Sequence, residues 1–357
     1  MEQKKRNEYI DIIKAIGIIS IVIGHSCWII TQWNILIGPF VYSYHLMIFF
    51  VVSGYLYNED KVYDRRSLLK YLWQQTIRMV KLFFLYNLFF TLIHNILLKQ
   101  NLITGNIYTG TIMLKNVLNG LRFVTNERLL GAFWFIPMML VSKILFSCTY
   151  HFTKKRKVLM VIIMMFYGIL GVGLCIYQIF LPYRLQISIL SVFFIFVGLV
   201  IKQHWHVLDK YVFSFGWIPS SFVLYFILYF TKSSIDLSVN KIINPWLFFL
   251  LTFIGVYFCF SLAKFILKSK KATSLFSLIG KNSMHIMALH FLVIKVIDII
   301  YCSIYGITDL KTMTKFPYSF NIWYYYIPLA VLVPVIIVNI SKVFKRKGMI
   351  NYEKRFD

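Results

Sequence analysis

The chain alternates between long apolar runs and short polar segments. Each run has close to the roughly 20 residues that a helix needs to cross the hydrocarbon core of a bilayer. A transmembrane β-strand would instead alternate apolar and polar residues over about ten positions. The pattern therefore predicts ten transmembrane helices, over residues 10–30, 40–57, 78–98, 131–150, 158–178, 184–201, 211–230, 244–267, 283–304 and 323–343.

Composition points to the same class of protein. Of 357 residues, 59% are hydrophobic and 14% are charged, and the mean hydropathy is +0.71. A soluble core cannot absorb that much apolar surface, so we expect an all-α polytopic integral membrane protein. The runs fill residues 1–357 as a single membrane domain, without a separate soluble domain. The five cysteines stand singly in or beside apolar runs, which favours neither disulfides nor a metal site.

The formal net charge of +25 is distributed unevenly between the two sides of the predicted membrane. The termini and the even-numbered loops hold 23 Lys and Arg residues, and the odd-numbered loops hold 9. Excess positive charge marks the cytoplasmic side. Both termini are therefore expected in the cytoplasm and the loops at 99–130 and 306–322 outside. The charge serves topology, with contact to anionic lipid as a second use, and does not indicate nucleic-acid binding.

The outer loop at 99–130 combines Gly, Asn and Thr with a short apolar stretch. An interfacial helix or a re-entrant segment fits this pattern. Such loops can shape the mouth of a substrate site or simply connect two spans. The chain shows neither the internal repeat of many transporters nor a visible break within a span.

Span 1 carries two ionisable groups, Lys14 and His25. They are eleven residues apart, so they share one helix face at a separation of roughly 16 Å. Asp11 can pair with Lys14. His45, near the outer start of span 2, is expected at the depth of His25. A snorkelling Lys or a hydrogen-bonded core His would be ordinary, but two histidines at one depth favour a polar cavity in which protons move.

Further charged groups stand at the inner ends of spans 3 and 9. Arg78 and Lys81 share a helix face and can either snorkel to the interface or clamp an anion such as phosphate. His285 and His290 lie in the inner part of span 9. Further along that span, Lys295 and Asp298 can neutralise each other.

At these positions the chain resembles the acyltransferase-3 superfamily of integral membrane acyltransferases. The branch most similar to it is that of fucose 4-O-acetylase-like O-acetyltransferases of surface polysaccharides. The matching segments are "YIDIIKAIGIISIVIGHS", "VYSYHLMIFFVVSGYLY", "IRMVKLFFLY", "GAFWFIPMML" and "LFSLIGKNSMHIMALHF". Two departures stand out: the family's "FHMPLFF" block lacks its Pro here, and Lys81 stands where Arg is usual.

The resemblance implies transfer of an acyl group from cytoplasmic acetyl-CoA, the co-substrate, to a hydroxyl of a glycan. The expected acceptor is an envelope, capsular or otherwise exported polysaccharide, or a lipid-linked glycan. A bacterial cytoplasmic membrane is the expected location. His25, with His45, would be catalytic, and Lys14, Arg78 and Lys81 would hold the CoA phosphates. Transfer could be direct or pass through a covalent acyl-enzyme on His25 or Ser26.

Two other classes of protein remain open from the residues alone. A transporter or flippase for a glycan or small solute would also need many spans and polar stripes. A scaffold of a polysaccharide assembly complex would need no intramembrane histidine. Loss of acyl groups from the glycan at constant polymer export would separate the enzyme from both.

Overall fold

The protein is seen in a computed structural model that describes residues 7–26, 36–213, 216–307, 315–319 and 322–353. The side chains of 211–212 and 342–353 are not part of this description. Several sequence predictions lie outside the described residues: the end of span 1 at 27–30, most of the loop at 306–322, and the basic side chains of 1–6, 342–347 and 354–357.

Helices make up most of the described chain, in agreement with the predicted all-α class. In chain order they are α1 (Glu8–Ser26), α2 (Ile37–Tyr42), α3 (Met47–Tyr55), α4 (Arg65–Lys99), α5 (Gly110–Gly120), α6 (Phe135–Thr153), α7 (Lys157–Ile176), α8 (Leu185–Gln203), α9 (Trp205–Val207), α10 (Trp217–Thr231), α11 (Phe248–Ile266), α12 (Lys270–Lys281), α13 (Ser283–Ile304) and α14 (Trp323–Glu353). Single 3₁₀ turns (Glu59–Val62, Arg128–Leu130, Pro182–Arg184, Leu237–Val239, Pro245–Leu247) and one π turn (Leu208–Val212) join them.

The only sheet in the described chain is a small hairpin between α10 and α11. Strands β1 (Ser234–Asp236) and β2 (Lys241–Ile243) pair antiparallel, with Ile235 opposite Ile242. Asn240 takes the left-handed conformation that the connection requires, at φ 55°.

Within the described residues, nine helical segments are long and apolar enough to cross a membrane. The seventh predicted span, at 211–230, corresponds to α10, an apolar helix of 15 residues, which is shorter than the others. Large apolar side chains remain exposed along helices such as α7 and α10, as lipid-facing surfaces require. Nine of the ten predicted spans thus appear in the described residues as helices long enough to cross a membrane, in agreement with an all-α polytopic membrane protein, and one appears as a shorter apolar helix.

Span 2 is not the continuous helix that the sequence predicts. Residues 43–46 form turns between α2 and α3, and His45 lies in this break. The freed backbone groups are satisfied locally, because the amide N–H of His45 donates to the Val41 carbonyl at 2.9 Å and the Ser43 hydroxyl donates to the Phe40 carbonyl at 2.7 Å. A hydroxyl that competes for backbone groups favours such an interruption. Non-helical backbone at this depth is tolerated because protein surrounds it.

Span 3 also differs from its predicted start. Helix α4 begins at Arg65 and is capped by Asp64, whose carboxylate accepts from the Ser67 amide at 3.0 Å. This cap bond holds the pKa of Asp64 below its usual range. The predicted start of span 3, at residue 78, is only the point at which the helix becomes apolar. Arg78 and Lys81 therefore lie well inside a 35-residue helix and not at its beginning.

Close backbone contacts hold the central helices together. A Cβ on Gly54 of α3 would lie 1.8 Å from the carbonyl oxygen of Ile195 on α8, and a Cβ on Gly198 of α8 would lie 1.9 Å from that of Val51 on α3. Only glycine permits this approach at either position.

The segment at 268–282, predicted as an inner loop, contains helix α12, which packs against α1. A Cβ on Gly280 would lie 1.8 Å from the carbonyl oxygen of Asp11. Helix α13 continues from α12 along α1. This packing sets the position of the next turns of α13 relative to the end of α1.

Candidate active site

His25 and His290 form a hydrogen-bonded pair between α1 and α13. His25 Nδ1 lies 2.9 Å from His290 Nε2, and the two rings stack at 5.1 Å between centroids. The Phe291 ring packs against both imidazoles, with its centroid 4.8 Å from that of His25 and 4.1 Å from that of His290. The sequence predicted His25 as catalytic but gave His290 no role, so the partner of His25 is a finding of the structure.

The hydrogen bonds fix which nitrogen of each neutral ring carries the proton. His290 Nδ1 faces two carbonyl oxygens, of Met287 at 3.0 Å and of Ile286 at 3.1 Å, and therefore carries the hydrogen. His290 Nε2 is then the acceptor, and His25 Nδ1–H donates to it. This arrangement leaves the lone pair of His25 on Nε2, where it can accept a proton from a substrate.

His45 has the same tautomer for a related reason. Its Nδ1–H donates to the Val41 carbonyl at 3.0 Å, so its Nε2 also carries the lone pair. The edge of the Tyr42 ring packs against the imidazole at 4.7 Å. The break in span 2 brings this carbonyl and this ring together around His45.

His25 and His45 line one cavity of about 50 Å³, as the prediction of matched depth requires. The cavity is closed by Trp134 of the loop before α6, Phe248 of α11, and residues 235–238 from the β1 strand and the turn that follows. By the same measure, about 10–15 Å³ holds one water molecule. This histidine cavity therefore has room for a group of a few heavy atoms and not for a sugar ring.

Trp134 also lines a second, larger cavity of about 950 Å³, here called the vestibule. The vestibule lies between the 123–131 segment, the start of α8 and the segment that carries Lys315 and Phe316. All three connect helices at the end of the bundle where α1 ends. The predicted outer loops therefore meet in the structure and surround a cavity beside the histidine pair.

Three cations gather on the helices toward the other end of α1. Lys143 of α6 lies within reach of the positive charges of Arg78 and Lys14. Lys14 pairs with Asp11 at 3.3 Å, as predicted. No carboxylate of the described chain forms an ion pair with Lys143. We call Lys14, Arg78 and Lys143 the cation cluster.

The cation cluster includes two of the three residues predicted to hold CoA phosphates. The third, Lys81, is exposed on α4 one turn beyond Arg78. Lys143 was missed by the sequence analysis, although a lone Lys in the apolar run "FIPMMLVSKILF" is a visible signal. Of the three cations, Asp11 forms an ion pair with only Lys14 in the described chain, so the cluster keeps an excess of positive charge that favours an anionic ligand.

The cluster and the vestibule lie in line along the same helices. Along α6, Lys143 stands six residues, or about 9 Å, beyond Pro137, which lines the vestibule. Along α4, Arg78 stands five residues before Phe83, another lining residue. The helices thus present the cation cluster at one level and the vestibule, beside the histidine pair, at another.

Ser26, the alternative nucleophile, is buried next to His25 in sequence. Its hydroxyl has no hydrogen-bond partner among the described residues. No general base is therefore in place to activate this hydroxyl. The geometry favours His25 as the reactive base.

The elements that a transfer reaction requires are a base, a closed small cavity, and an open cavity beside it, all within a membrane bundle. Such a combination fits the transfer of a group inside the membrane. The model of the acyltransferase-3 family, described as an acyltransferase domain, matches residues 7–341, and the chain belongs to this family. Neither a curated protein nor a solved structure matches the chain.

Proposed function

We propose that the protein is an O-acetyltransferase that moves an acetyl group from cytoplasmic acetyl-CoA to a hydroxyl of a cell-envelope or exported polysaccharide. The observation that carries the proposal is the His25–His290 pair, which leaves His25 Nε2 as an oriented base. His25 lines the histidine cavity, where we expect a donor from the cytoplasmic side and an acceptor from the outer side to meet. A bacterial cytoplasmic membrane is the proposed location.

The donor site is proposed at the cation cluster. CoA carries a diphosphate and a 3′-phosphate, and clustered Lys and Arg side chains bind phosphates well. Lys14, Arg78 and Lys143 would hold them, with Lys81 one turn along α4. The roughly 16 Å between Lys14 and His25 along α1 leaves the extended pantetheine arm to reach the histidines.

The reaction is a direct transfer in two proton movements. His25 Nε2 takes the proton from the acceptor hydroxyl as its oxygen attacks the thioester carbonyl. The carbon–sulfur bond then breaks, and the leaving thiolate receives the proton from His25, which gives the acetyl ester and CoA thiol. His290 Nε2 accepts the Nδ1–H of His25 throughout and so stabilises the imidazolium. His45 Nε2 can accept a hydrogen bond from a second acceptor hydroxyl and orient the sugar.

The volume of the histidine cavity supports the proposal that the transferred group is acetyl and not a longer acyl group. Its volume of about 50 Å³ fits a group of three heavy atoms. A longer chain would need Trp134 or Phe248 to move, and such displacement of well-packed aromatic side chains is unfavourable.

The break in span 2 also fits a transporter, so the test must separate the two classes. Purified protein in lipid nanodiscs receives acetyl-CoA and cell-envelope glycan from a strain that lacks the gene. We expect free CoA thiol to appear together with acetyl groups on the glycan, and His25→Ala to abolish both. If export of the polymer requires the gene and the polymer carries no acetyl ester, the protein is instead a transporter.

A further inference from the structure

The vestibule carries an excess of positive charge. Arg128, Arg184 and Lys315 line it, and Glu127 is its only carboxylate in the described chain. Glu127 is buried and already accepts a hydrogen bond from His94 Nδ1 at 3.0 Å. The charge presented to a ligand is therefore set by the three cations.

Lys315 is the vestibule cation whose charge acts on the histidine pair, since it reaches both His25 and His290. The ammonium lies 5.4 Å from the ring centre of Phe291 and 5.3 Å from that of Phe316. No carboxylate in the described chain pairs with it, and its burial lowers the pKa of Lys315. A partly buried, unpaired ammonium gains from an anionic ligand.

Gly131 makes room for this ammonium. A Cβ on Gly131 would lie 3.0 Å from Lys315 Nζ. The segment that carries Lys315 is anchored as well, because the Tyr318 amide donates to Asp298 Oδ1 at 3.1 Å and the Ser319 amide to the Tyr326 hydroxyl at 3.3 Å. Lys315 is thus held at the junction of the vestibule and the histidine pair.

Arg128 and Arg184 extend the positive charge away from the histidines. Arg184 lies over the Trp134 ring at 4.9 Å and donates to the Ser238 carbonyl, and Asp236 also acts on its charge. Arg128 is exposed and donates to the Thr104 hydroxyl. Phe123, Trp134 and Phe316 also line the vestibule. Aromatic side chains in a binding site can pack against the C–H faces of sugar rings.

We propose that the vestibule selects an anionic saccharide as acceptor, with an acidic group of the glycan bound at Lys315 and Arg128 and a neighbouring hydroxyl presented to His25. This inference rests on the proposed acetyl transfer and adds to it the chemical class of the acceptor. At about 950 Å³ the vestibule has room for several sugar residues. The acidic group can be a uronic-acid carboxylate or a phosphodiester, since both pair with Lys and Arg.

The test compares matched acceptors on purified protein in nanodiscs. The probes are a tetrasaccharide of galacturonic acid, a neutral galactose tetrasaccharide, and an oligomer of sugar residues linked by phosphodiesters. Binding is measured calorimetrically at two salt concentrations, and acetyl transfer by mass spectrometry. We expect at least one acidic probe to bind about tenfold or more tightly than the neutral one, with an advantage that shrinks in high salt.

Lys315→Gln and Arg128→Gln should each lower affinity for the acidic probe by about tenfold or more, as expected for a lost charge-assisted contact, and leave the neutral probe unaffected. Lys115→Gln, on exposed α5, is the control and should change neither affinity. Acetyl-CoA binding should remain at the wild-type level in all three variants.

Failure of this inference and failure of the proposed function give different results. If the neutral and acidic probes bind with equal affinity and both are acetylated, the anionic acceptor class is overturned and the proposed acetyl transfer stands. Salt-sensitive binding of an acidic probe that depends on Lys315 and Arg128, without acetyl transfer, would support the vestibule and overturn the transfer. Equal losses in Lys115→Gln would show a general charge effect and also overturn the inference.

Discussion

The position of one proton decides how the histidine pair works. If His290 Nδ1 keeps its hydrogen on the carbonyl oxygens of Ile286 and Met287, His25 is held with its lone pair on Nε2. His290 then acts by positioning His25 and by accepting its Nδ1–H, without touching the substrate. Variants of the two histidines should therefore affect turnover in different degrees.

His25→Ala should lower the turnover number by about 10²–10⁴-fold, the usual effect of removing a general base. His290→Ala should lower it less, on the order of 10²-fold, because the base is still present but free to rotate. His290→Gln should recover part of this loss, since its amide oxygen can accept the Nδ1–H of His25. Steady-state kinetics with acetyl-CoA and glycan measure all three.

The KM for acetyl-CoA serves as the control in this series, because the cation cluster is untouched. It should stay within about twofold of wild type in each variant. A His290→Gln protein as inactive as His290→Ala, with wild-type thermal stability, would argue against a hydrogen-bond role for His290.

The proposed donor site gives Lys143 a role separate from that of the histidines, namely binding of the CoA phosphates. Lys143→Met keeps the length of the side chain and removes its charge, so acetyl-CoA should bind more weakly by about 1.5–3 kcal/mol, or roughly 10- to 150-fold in Kd. Arg78→Ala should give a similar loss, and Lys81→Ala a smaller one because Lys81 is not among the cations that act on Lys143. Lys115→Met is the matched control on the other side of the membrane.

Calorimetry with acetyl-CoA and with dephospho-CoA would locate the contact. If Lys143 holds the 3′-phosphate, wild type should lose affinity for dephospho-CoA and Lys143→Met should not distinguish the two ligands. Unchanged affinity of Lys143→Met for acetyl-CoA itself would remove Lys143 from the donor site.

Sequence patterns identified single residues better than their partners. His25 and Lys14 stood out because ionisable groups are costly inside a span. His290 lies 265 residues from His25 in the chain, and helical periodicity does not show which distant helices meet. Lys143 carried the same signal as Lys14 but had no second charged group on its own helix to mark it.

At the scale of elements, the contact between α12 and α1 sets the alignment of the histidines. Gly280 lies against the Asp11 backbone. His290 follows Gly280 by ten residues, across the turn at Asn282 and into α13, and His25 follows Asp11 by fourteen residues on α1. Apolar periodicity could predict the helices but not this glycine contact, because it depends on which backbones approach each other.

Gly280→Ala should therefore separate α12 from α1 and disturb the His25–His290 pair. Overpacking of this kind costs about 1–3 kcal/mol. We expect a lower Tm and a loss of turnover larger than the loss of folded protein. Gly173→Ala is the matched control, since a Cβ there would meet nothing within 4 Å, and it should leave activity unchanged and Tm equal or higher.

The two measurements together test the alignment. Thermal unfolding in detergent gives Tm, and turnover is divided by the folded fraction at the assay temperature. A Gly280→Ala protein with wild-type Tm and turnover would show that the backbone contact does not position His290.

At the scale of the whole molecule, the proposed path requires a defined orientation in the membrane. Acetyl-CoA is cytoplasmic, so the cation cluster must face inward and the vestibule outward. The distribution of Lys and Arg predicts this orientation. The structure adds that the loops at 104, 123–131, 183–184 and Lys315–Phe316 all reach the vestibule, so one orientation applies to all of them.

Single-cysteine labelling tests the orientation. Asn106→Cys, in an exposed turn at the vestibule end, should react with a membrane-impermeant maleimide in intact cells. Lys155→Cys, exposed between α6 and α7, should react only after lysis. Both substitutions are made in a Cys148→Ser background, because Cys148 is half-buried whereas Cys175, Cys259 and Cys302 are buried. Cys148→Ser protein without an added cysteine is labelled in parallel, and its signal is the background from the remaining cysteines, Cys27 included. Labelling of Lys155→Cys but not of Asn106→Cys in intact cells would reverse the orientation, place the cation cluster outside, and exclude cytoplasmic acetyl-CoA as its ligand.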